Sequence, residues 1–356
     1  MELFAEITGI KYTPFLCKTL KVFPINSLKT ALSTCGAFAL NKGNDRSAAV
    51  SWWVSAKRTR AYPYARIYDT LVFPGKRITI IPIMKDEGIE GDRDFLQWDT
   101  ISLMSLLGLY VVISFYTDAE NSTHYKGKIT NQRFDTSYLR GQIEDVLSYQ
   151  SDALHWNIAQ VDKAGVIATK AVEAYAKISE KLSVPMHSVE SANRRVSQLL
   201  KGKDNFITLS RKLAKRAQAR ESQTVQPKEN LTGIKAELTI RNYLGGYYFL
   251  TVDEAWIASN DLYLAEAKHT MYPKLPSLSD VKGGLIKMML FSNLQSVGTA
   301  TQKYNPVAVL KLTTANDFSK EQLGVRDKRL LETLKEEANH NRFKILINTD
   351  FLDTHL

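Results

Sequence analysis

Two acidic residues and a lysine in the last third of the chain have the spacing of a metal-assisted hydrolytic site. Residues 248–268 read YFLTVDEAWIASNDLYLAEAK, two apolar segments separated by Ser259 and Asn260. A two- or four-residue turn centred there would place Asp253 opposite Glu266, with their Cβ atoms about 5 Å apart on one face of a hairpin. Carboxylates that close repel each other unless a cation lies between them, and hard oxygen ligands favour Mg²⁺.

A lysine follows the second acid at a spacing that brings it to the same face. Lys268 lies two residues after Glu266, and strand side chains alternate between the two faces of a sheet with a period of two. A three-residue turn would shift the register by one and bring Glu254 opposite Glu266 instead of Asp253. Asp253 is therefore the predicted first metal ligand, and Glu254 is the alternative.

These residues resemble the active-site motif of the PD-(D/E)XK nuclease superfamily. Its pattern is an acid on one strand, followed on the next strand by Glu or Asp, any residue, and Lys. The resemblance implies that Asp253 and Glu266 hold Mg²⁺ and that Lys268 orients or activates the attacking water. It also implies a role for Glu237, on a predicted helix over 232–244, as the additional acid of the family. The chain departs from the pattern in having Val252 where a proline would precede the first acid.

The elements around the hairpin follow the order of this family. We predict a helix opened by Ser277, a strand over 306–312, a charged helix over 327–341 and a strand over 343–347. Helix, hairpin, helix, strand, helix, strand corresponds to an α/β class with a mixed central sheet flanked by helices. The resemblance implies that this sheet is a restriction-endonuclease-like core in the C-terminal part, and we expect an α/β or α+β N-terminal region.

Composition indicates a globular intracellular protein. With 44% hydrophobic and 24% charged residues, 356 residues can form one large or two medium domains. Cys17 and Cys35 are too few for a disulfide framework or a metal cluster, which indicates a reducing compartment. There is no basic region leading into an apolar run at the start of the chain, and the longest apolar stretch, 103–116, is too short to cross a bilayer. We expect a cytoplasmic protein without a membrane partner.

Basic residues predict a polyanionic partner. The net charge is +10, and residues 201–220 carry seven basic residues and one acid, so binding to a nucleic acid would be salt-dependent. A second basic segment, 51–66, interleaves basic residues with tryptophan and tyrosine, which can stack on bases. The equal alternative for the second segment is a buried aromatic core with solvated charges. The predicted DNA-binding residues are Lys57, Arg58, Arg60, Arg211, Lys212, Lys215 and Arg216.

A second acidic cluster offers an alternative site. The segment 77–84 reads as a buried strand, and an acidic loop, a helix over 95–107 and another strand follow it. Carboxylates just past a strand end are placed where catalytic groups occur, although they also act as helix caps. The residues of this alternative site are Asp86, Glu87, Asp92 and Asp94, with Asp69 as an upstream partner.

The polar segment 222–230 divides the chain. We predict an N-terminal region over 1–200 that recognises DNA, a basic helix and linker over 201–230, and a catalytic domain over 231–356. No Walker A loop is present, so a motor-coupled enzyme is not indicated.

A free-standing nuclease with a large additional region resembles a type II restriction endonuclease, which cuts double-stranded DNA at a specific sequence. The symmetry of such a substrate favours a homodimer. A DNA methyltransferase acting on the same sequence would be the matching partner. The alternative from a different functional class is a non-catalytic nucleic-acid-binding protein with a nuclease-like fold.

Overall fold

The computed structural model describes the chain except residues 44–45, 58–60, 201–207, 209–210, 213–214, 217, 220–233, 243–246, 316–318, 320–322 and 353–356. The fold has two units, one made of Met1–Lys18 with Lys212–Leu356 and the other of Thr19–Arg211. The division between them differs from the predicted one, because the first 18 residues belong with the C-terminal unit. Each unit has its own sheets and helices.

The unit with the predicted catalytic residues is built on an eight-stranded sheet. Its strands are β1 (Glu2–Ile7), β11 (Ile234–Asn242), β12 (Tyr247–Ala258), β13 (Asp261–His269), β14 (Ser296–Gly298), β15 (Lys303–Thr313), β16 (Lys344–Ile347) and β17 (Asp350–Phe351). Among its described residues, the long helices are α8 (Leu278–Phe291) and α9 (Val325–Asn341). The strand order is β13-β12-β11-β1-β14-β15-β16-β17.

An additional pairing between β13 and β15 closes six of these strands into a ring. These two strands run parallel from the pair Asp261 and Asn305 to the pair His269 and Thr313. β1 completes the ring, because it pairs in parallel with β11 and antiparallel with β14. The predicted mixed α/β class is confirmed, and the sheet contains both parallel and antiparallel pairs.

The second unit contains a five-stranded sheet in the order β2-β3-β4-β5-β8. These strands are β2 (Val22–Pro24), β3 (Ala37–Asn41), β4 (Ser47–Trp52), β5 (Lys76–Pro82) and β8 (Tyr110–Ser114). Two hairpins are formed by β6 (Met84–Asp86) with β7 (Arg93–Phe95), and by β9 (Tyr116–Asn121) with β10 (Ile129–Phe134). The helices are α1 (Leu28–Thr34), α2 (Ala61–Tyr68), α3 (Trp98–Leu106), α4 (Thr136–Ser148), α5 (Ala153–Asp162), α6 (Ala164–Leu182) and α7 (Val189–Leu200).

The prediction of a helix over 232–244 is wrong, because the described part of this segment is the strand β11. Ala236, Leu238 and Ile240 are buried, and the residues between them are only partly buried. This alternation is the period of a strand with one buried face. The two helices and two strands predicted after the hairpin correspond to α8, β15, α9 and β16.

None of the helices within the described ranges combines the length and the apolar composition needed to span a bilayer.

Candidate active site

The hairpin of β12 and β13 has the register expected from its turn. Ala258 pairs with Asp261, so the connection is the two residues Ser259 and Asn260, and Ser259 takes a left-handed φ of +56°. The pairing continues without a shift to Glu254 opposite Ala265. The ladder of paired residues ends there, and Asp253 and Glu266 are the next residues of the two strands.

A β-bulge interrupts β12 at the first acid. On the β11 side, Val252 pairs with Ala236 while Ala255 pairs with Ile234, so β12 has one residue more than its partner between these pairs. Bulges re-aim side chains and interrupt the ladder. Here Oδ2 of Asp253 accepts a hydrogen bond from the backbone N–H of Ala267 at 2.9 Å. The bulge therefore lies where the carboxylate of Asp253 is hydrogen-bonded to the backbone of β13.

The second acid is buried between two ammonium groups. Glu266 is only 3% exposed. Nζ of Lys268 lies 2.7 Å from its Oε1, and Nζ of Lys287 lies 2.5 Å from its Oε2. Lys287 also donates to the backbone carbonyl of Thr251 at 3.2 Å. Each oxygen of the carboxylate is thus held by a different lysine.

The surroundings shift the pKa values of the two acids in opposite directions. Burial raises the pKa of Asp253 to about 7, and the neighbouring negative charge of Glu266 adds to this increase. Burial would also raise the pKa of Glu266, but the charges and hydrogen bonds of Lys268 and Lys287 outweigh it and lower that pKa to about 2. Near neutral pH the site therefore holds one ionised carboxylate and one that is close to its own pKa.

Helix α8 brings Lys287 to the hairpin. Ser277 caps its N-terminus by accepting a hydrogen bond from the N–H of Asp280 at 3.2 Å. A Cβ added at Gly284 would lie 2.7 Å from Cδ1 of Leu310 and 3.4 Å from Cε of Lys268. Because Gly284 is beside Lys268 and Lys287 is beside Glu266, α8 runs antiparallel to β13. A residue without a side chain at 284 permits this close approach.

The alternative first acid lies in a different environment. Oε2 of Glu254 is 2.7 Å from Nζ of Lys311, and both side chains are almost fully buried. Glu254 is cross-strand from Ala265, and Ala265 packs with Val309 and Leu346. Lys311 therefore balances the charge of Glu254 within that core, whereas Asp253 is beside Glu266.

Glu237 lies on β11, where it pairs with Glu2 of β1 and Thr251 of β12. It is partly buried and is one strand further from β13 than Asp253 is. The prediction that Glu237 lies on a helix is therefore wrong, because its segment pairs with β1 and β12 as a strand of the sheet.

The structure gives the acids of the alternative cluster separate partners. Asp86 is buried beside His187 at 2.8 Å, and Asp94 accepts from Oγ of Ser55 at 2.6 Å. The remaining pairs are Glu87 with Lys85 at 2.5 Å and Asp92 with Lys57 at 3.5 Å, while Asp69 directly follows α2. In the part of the chain that the structure describes, no three His, Cys, Asp or Glu side chains are grouped so that they could hold a metal ion. The predicted acidic loop is a β-hairpin, and its acids do not converge.

The predicted basic residues are described only in part. Arg58 and Arg60 lie outside the described residues. Lys212, Lys215 and Arg216 are exposed and have helical backbone, while Arg211 is partly buried. Nearby Gln218 is buried and donates to the carbonyls of Leu238 and Leu250 at 3.2 and 2.8 Å. These bonds join Gln218 to β11 and β12.

The aromatic residues of segment 51–66 are largely structural. Trp53 is fully buried and packs edge-on against Tyr64. The guanidinium of Arg66 lies 4.3 Å from the centre of the Trp52 ring and 4.9 Å from that of Tyr62. These contacts correspond to the aromatic-core alternative for this segment.

Sequence reasoning missed Lys287 and the bulge at Asp253. Lys287 follows Gly284 by three positions, which places both on one face of α8. That spacing was available as a signal, but it does not tell which face of the helix meets the hairpin.

Comparison with known proteins gives no matching family model, no matching curated protein and no matching solved structure.

Proposed function

We propose that the protein is a Mg²⁺-dependent deoxyribonuclease of the PD-(D/E)XK kind, acting as a type II restriction endonuclease. The observation that carries the proposal is the meeting of Asp253, Glu266 and Lys268 at the end of one hairpin, with a raised pKa at the first acid and a lowered pKa at the second. Pairs of acids whose environments drive their pKa values apart are typical of catalytic sites.

The donor set fits Mg²⁺. This ion is usually bound by one or two carboxylates together with water and substrate phosphate oxygens, and Asp253 and Glu266 would supply the carboxylates. The raised pKa of Asp253 supports the fit, because a divalent cation would stabilise the ionised form that burial and Glu266 disfavour. When bound, the ion would supply Lewis-acid stabilisation of the phosphoryl oxygens and a more acidic water.

Residues of the chain would orient the attacking water, offset charge at the phosphate and position the carboxylates. Lys268 donates to Glu266 and is partly exposed, so its ammonium can orient the attacking water and offset negative charge that develops at the phosphate. Lys287 holds the other oxygen of Glu266 and fixes the orientation of that carboxylate. Glu237 remains the proposed additional acid on the neighbouring strand.

The substrate proposed is double-stranded DNA, and the proposed location is the cytoplasm. The net charge of +10 and the exposed Lys212, Lys215 and Arg216 support a polyanionic partner. Cleavage of both strands of a symmetric site would favour a homodimer. A methyltransferase specific for the same sequence would protect the host DNA.

Incubation of the purified full-length chain with supercoiled plasmid tests the proposal. We expect discrete fragments with Mg²⁺ and none with EDTA, and loss of cleavage in Asp253→Asn and Lys268→Ala with DNA binding retained. Smeared products would indicate a less selective nuclease. Retained supercoils with tight DNA binding would instead support the non-catalytic binding protein, and normal cleavage by Asp253→Asn or Lys268→Ala would refute the site.

A further inference from the structure

The loop between β13 and α8 presents an exposed aromatic ring and an amine beside the candidate active site. It begins after His269 and ends at Ser277, the N-cap of α8. Met271 and Tyr272 are 66% and 60% exposed. Nζ of Lys274 lies 5.0 Å from the centre of the Tyr272 ring. The loop thus offers a flat surface and a positive charge to solvent.

Backbone hydrogen bonds and one buried side chain hold this loop in place. The N–H of Thr270 donates to the carbonyl of Thr313 at 2.9 Å, and that of Ala315 donates to the carbonyl of Tyr272 at 3.3 Å. A third bond, from the N–H of Lys274 to the Tyr272 carbonyl, is 2.8 Å long. Leu275 is 4% exposed. The exposed ring is therefore carried on an anchored turn, so little ordering would be needed on binding.

The loop follows Lys268 closely in the chain. Only His269 separates Lys268 from the loop, and α8, which starts at the loop's other end, runs back along β13 past Lys268 to Glu266. The loop therefore adjoins the Lys268 end of the candidate site along the chain, and we call it the rim. A strand whose phosphate reaches Lys268 would extend across this rim.

We propose that Tyr272 and Lys274 hold the DNA strand next to the phosphate that is cut. Lys274 pairs with a backbone phosphate, and the Tyr272 ring packs on the adjacent nucleotide. The inference rests on the proposed nuclease function and names the surface on which its substrate lies. An aromatic ring beside an ammonium matches a DNA strand, because the ring can pack on a deoxyribose while the ammonium pairs with the neighbouring phosphate.

Binding of a labelled duplex to the full-length Asp253→Asn protein in Mg²⁺ tests the contact without cleavage. Adding Tyr272→Ala should weaken binding about fivefold, because the apolar contact of the ring with the DNA backbone would be lost. Adding Tyr272→Phe should preserve the affinity. Adding Lys274→Ala should reduce the slope of log affinity against log salt by about one, as expected for a lost phosphate contact.

The chain contains a matched control. Phe351, on β17, is 46% exposed, and Nζ of Lys344 lies 5.8 Å from its ring centre. Phe351→Ala should leave DNA affinity unchanged. An equal loss in Phe351→Ala and Tyr272→Ala would overturn the inference, because the effect would not belong to this rim.

The remaining outcomes separate this inference from the nuclease proposal. If the wild-type protein cuts plasmid and neither Tyr272→Ala nor Lys274→Ala changes binding, the rim contact is refuted and the nuclease stands. If the wild-type protein neither cuts nor binds DNA, the proposed function fails, and the rim contact fails with it. Tighter binding of single-stranded RNA than of duplex DNA would contradict the substrate class.

Discussion

Lys287 donates across 2.5 Å to Oε2 of Glu266 from a helix that begins after the hairpin has ended. This contact joins helix α8 to the carboxylate of Glu266 in the candidate site. Lys268 and Lys287 together explain how a nearly fully buried carboxylate stays ionised, since burial by itself would raise the pKa of Glu266. Lys287 is therefore expected to affect both stability and catalysis.

We expect Lys287→Met to lower the free energy of unfolding by about 1.5–3 kcal/mol, the usual contribution of a hydrogen bond to a charged group. Mg²⁺ should restore more stability to this variant than to the wild type, because the cation can replace the lost positive charge beside Glu266. Urea denaturation with and without Mg²⁺ measures both effects. Lys303→Met, at an exposed position of β15, is the control, and equal loss in both variants would contradict the role of Lys287.

Mg²⁺-dependent cleavage should increase with pH around the pKa of Asp253. Because that pKa is about 7, a proton competes with the cation for this carboxylate at lower pH. The Mg²⁺ concentration that gives half-maximal cleavage should therefore fall between about pH 6 and about pH 8. Titrating Mg²⁺ at each pH tests this, and a requirement that does not change with pH would count against Asp253 as a ligand.

Asp253 should also make the metal-free protein less stable as pH rises. Its pKa is raised from 3.8 to about 7 on folding, so between these values the folded state holds a proton that the unfolded chain has released. The free energy of unfolding then falls as pH increases through this window. Asp253→Asn should gain thermal stability over the wild type at about pH 8, with a smaller difference near pH 4. A difference independent of pH would show that Asp253 does not titrate as described.

Glu254 and Lys311 should matter for folding. Both are almost fully buried and lie 2.7 Å apart, so Lys311→Met should cost about 3–5 kcal/mol by removing the ammonium that contacts a buried carboxylate. Replacing both residues by Met should recover most of this loss. Equilibrium unfolding of the single and double variants measures the coupling. Loss of cleavage in a Glu254→Met/Lys311→Met protein of normal stability would instead place Glu254 in the active site.

Gly284→Ala should disturb the candidate site through packing. The added Cβ would meet Leu310 at 2.7 Å and the stem of Lys268 at 3.4 Å. We expect a cost of about 1–3 kcal/mol from overpacking, together with reduced cleavage, because Lys268 would be displaced. Gly141→Ala in α4 is the control, since a Cβ there meets nothing within 4 Å. Full activity and stability in Gly284→Ala would show that α8 can shift without consequence.

Local residue patterns predicted several elements correctly. The two-residue turn at Ser259 and Asn260 fixes the register of the hairpin, because cross-strand pairing follows from loop length. The cap at Ser277 marks the start of α8 in the same way. The mixed α/β class could also be derived, since it depends on the order of the elements along the chain.

Long-range pairing decided the rest. β1 joins β11 and β14 from the opposite end of the chain, and this pairing makes a strand of the segment around Glu237. The bulge at Asp253 depends on how β11 and β13 flank β12. Lys287 reaches Glu266 only because α8 packs through Gly284. The sequence alone determined the types and local spacing of the acids and Lys268, whereas tertiary packing determined which charges surround them, because electrostatic neighbours depend on distance in space and not along the chain.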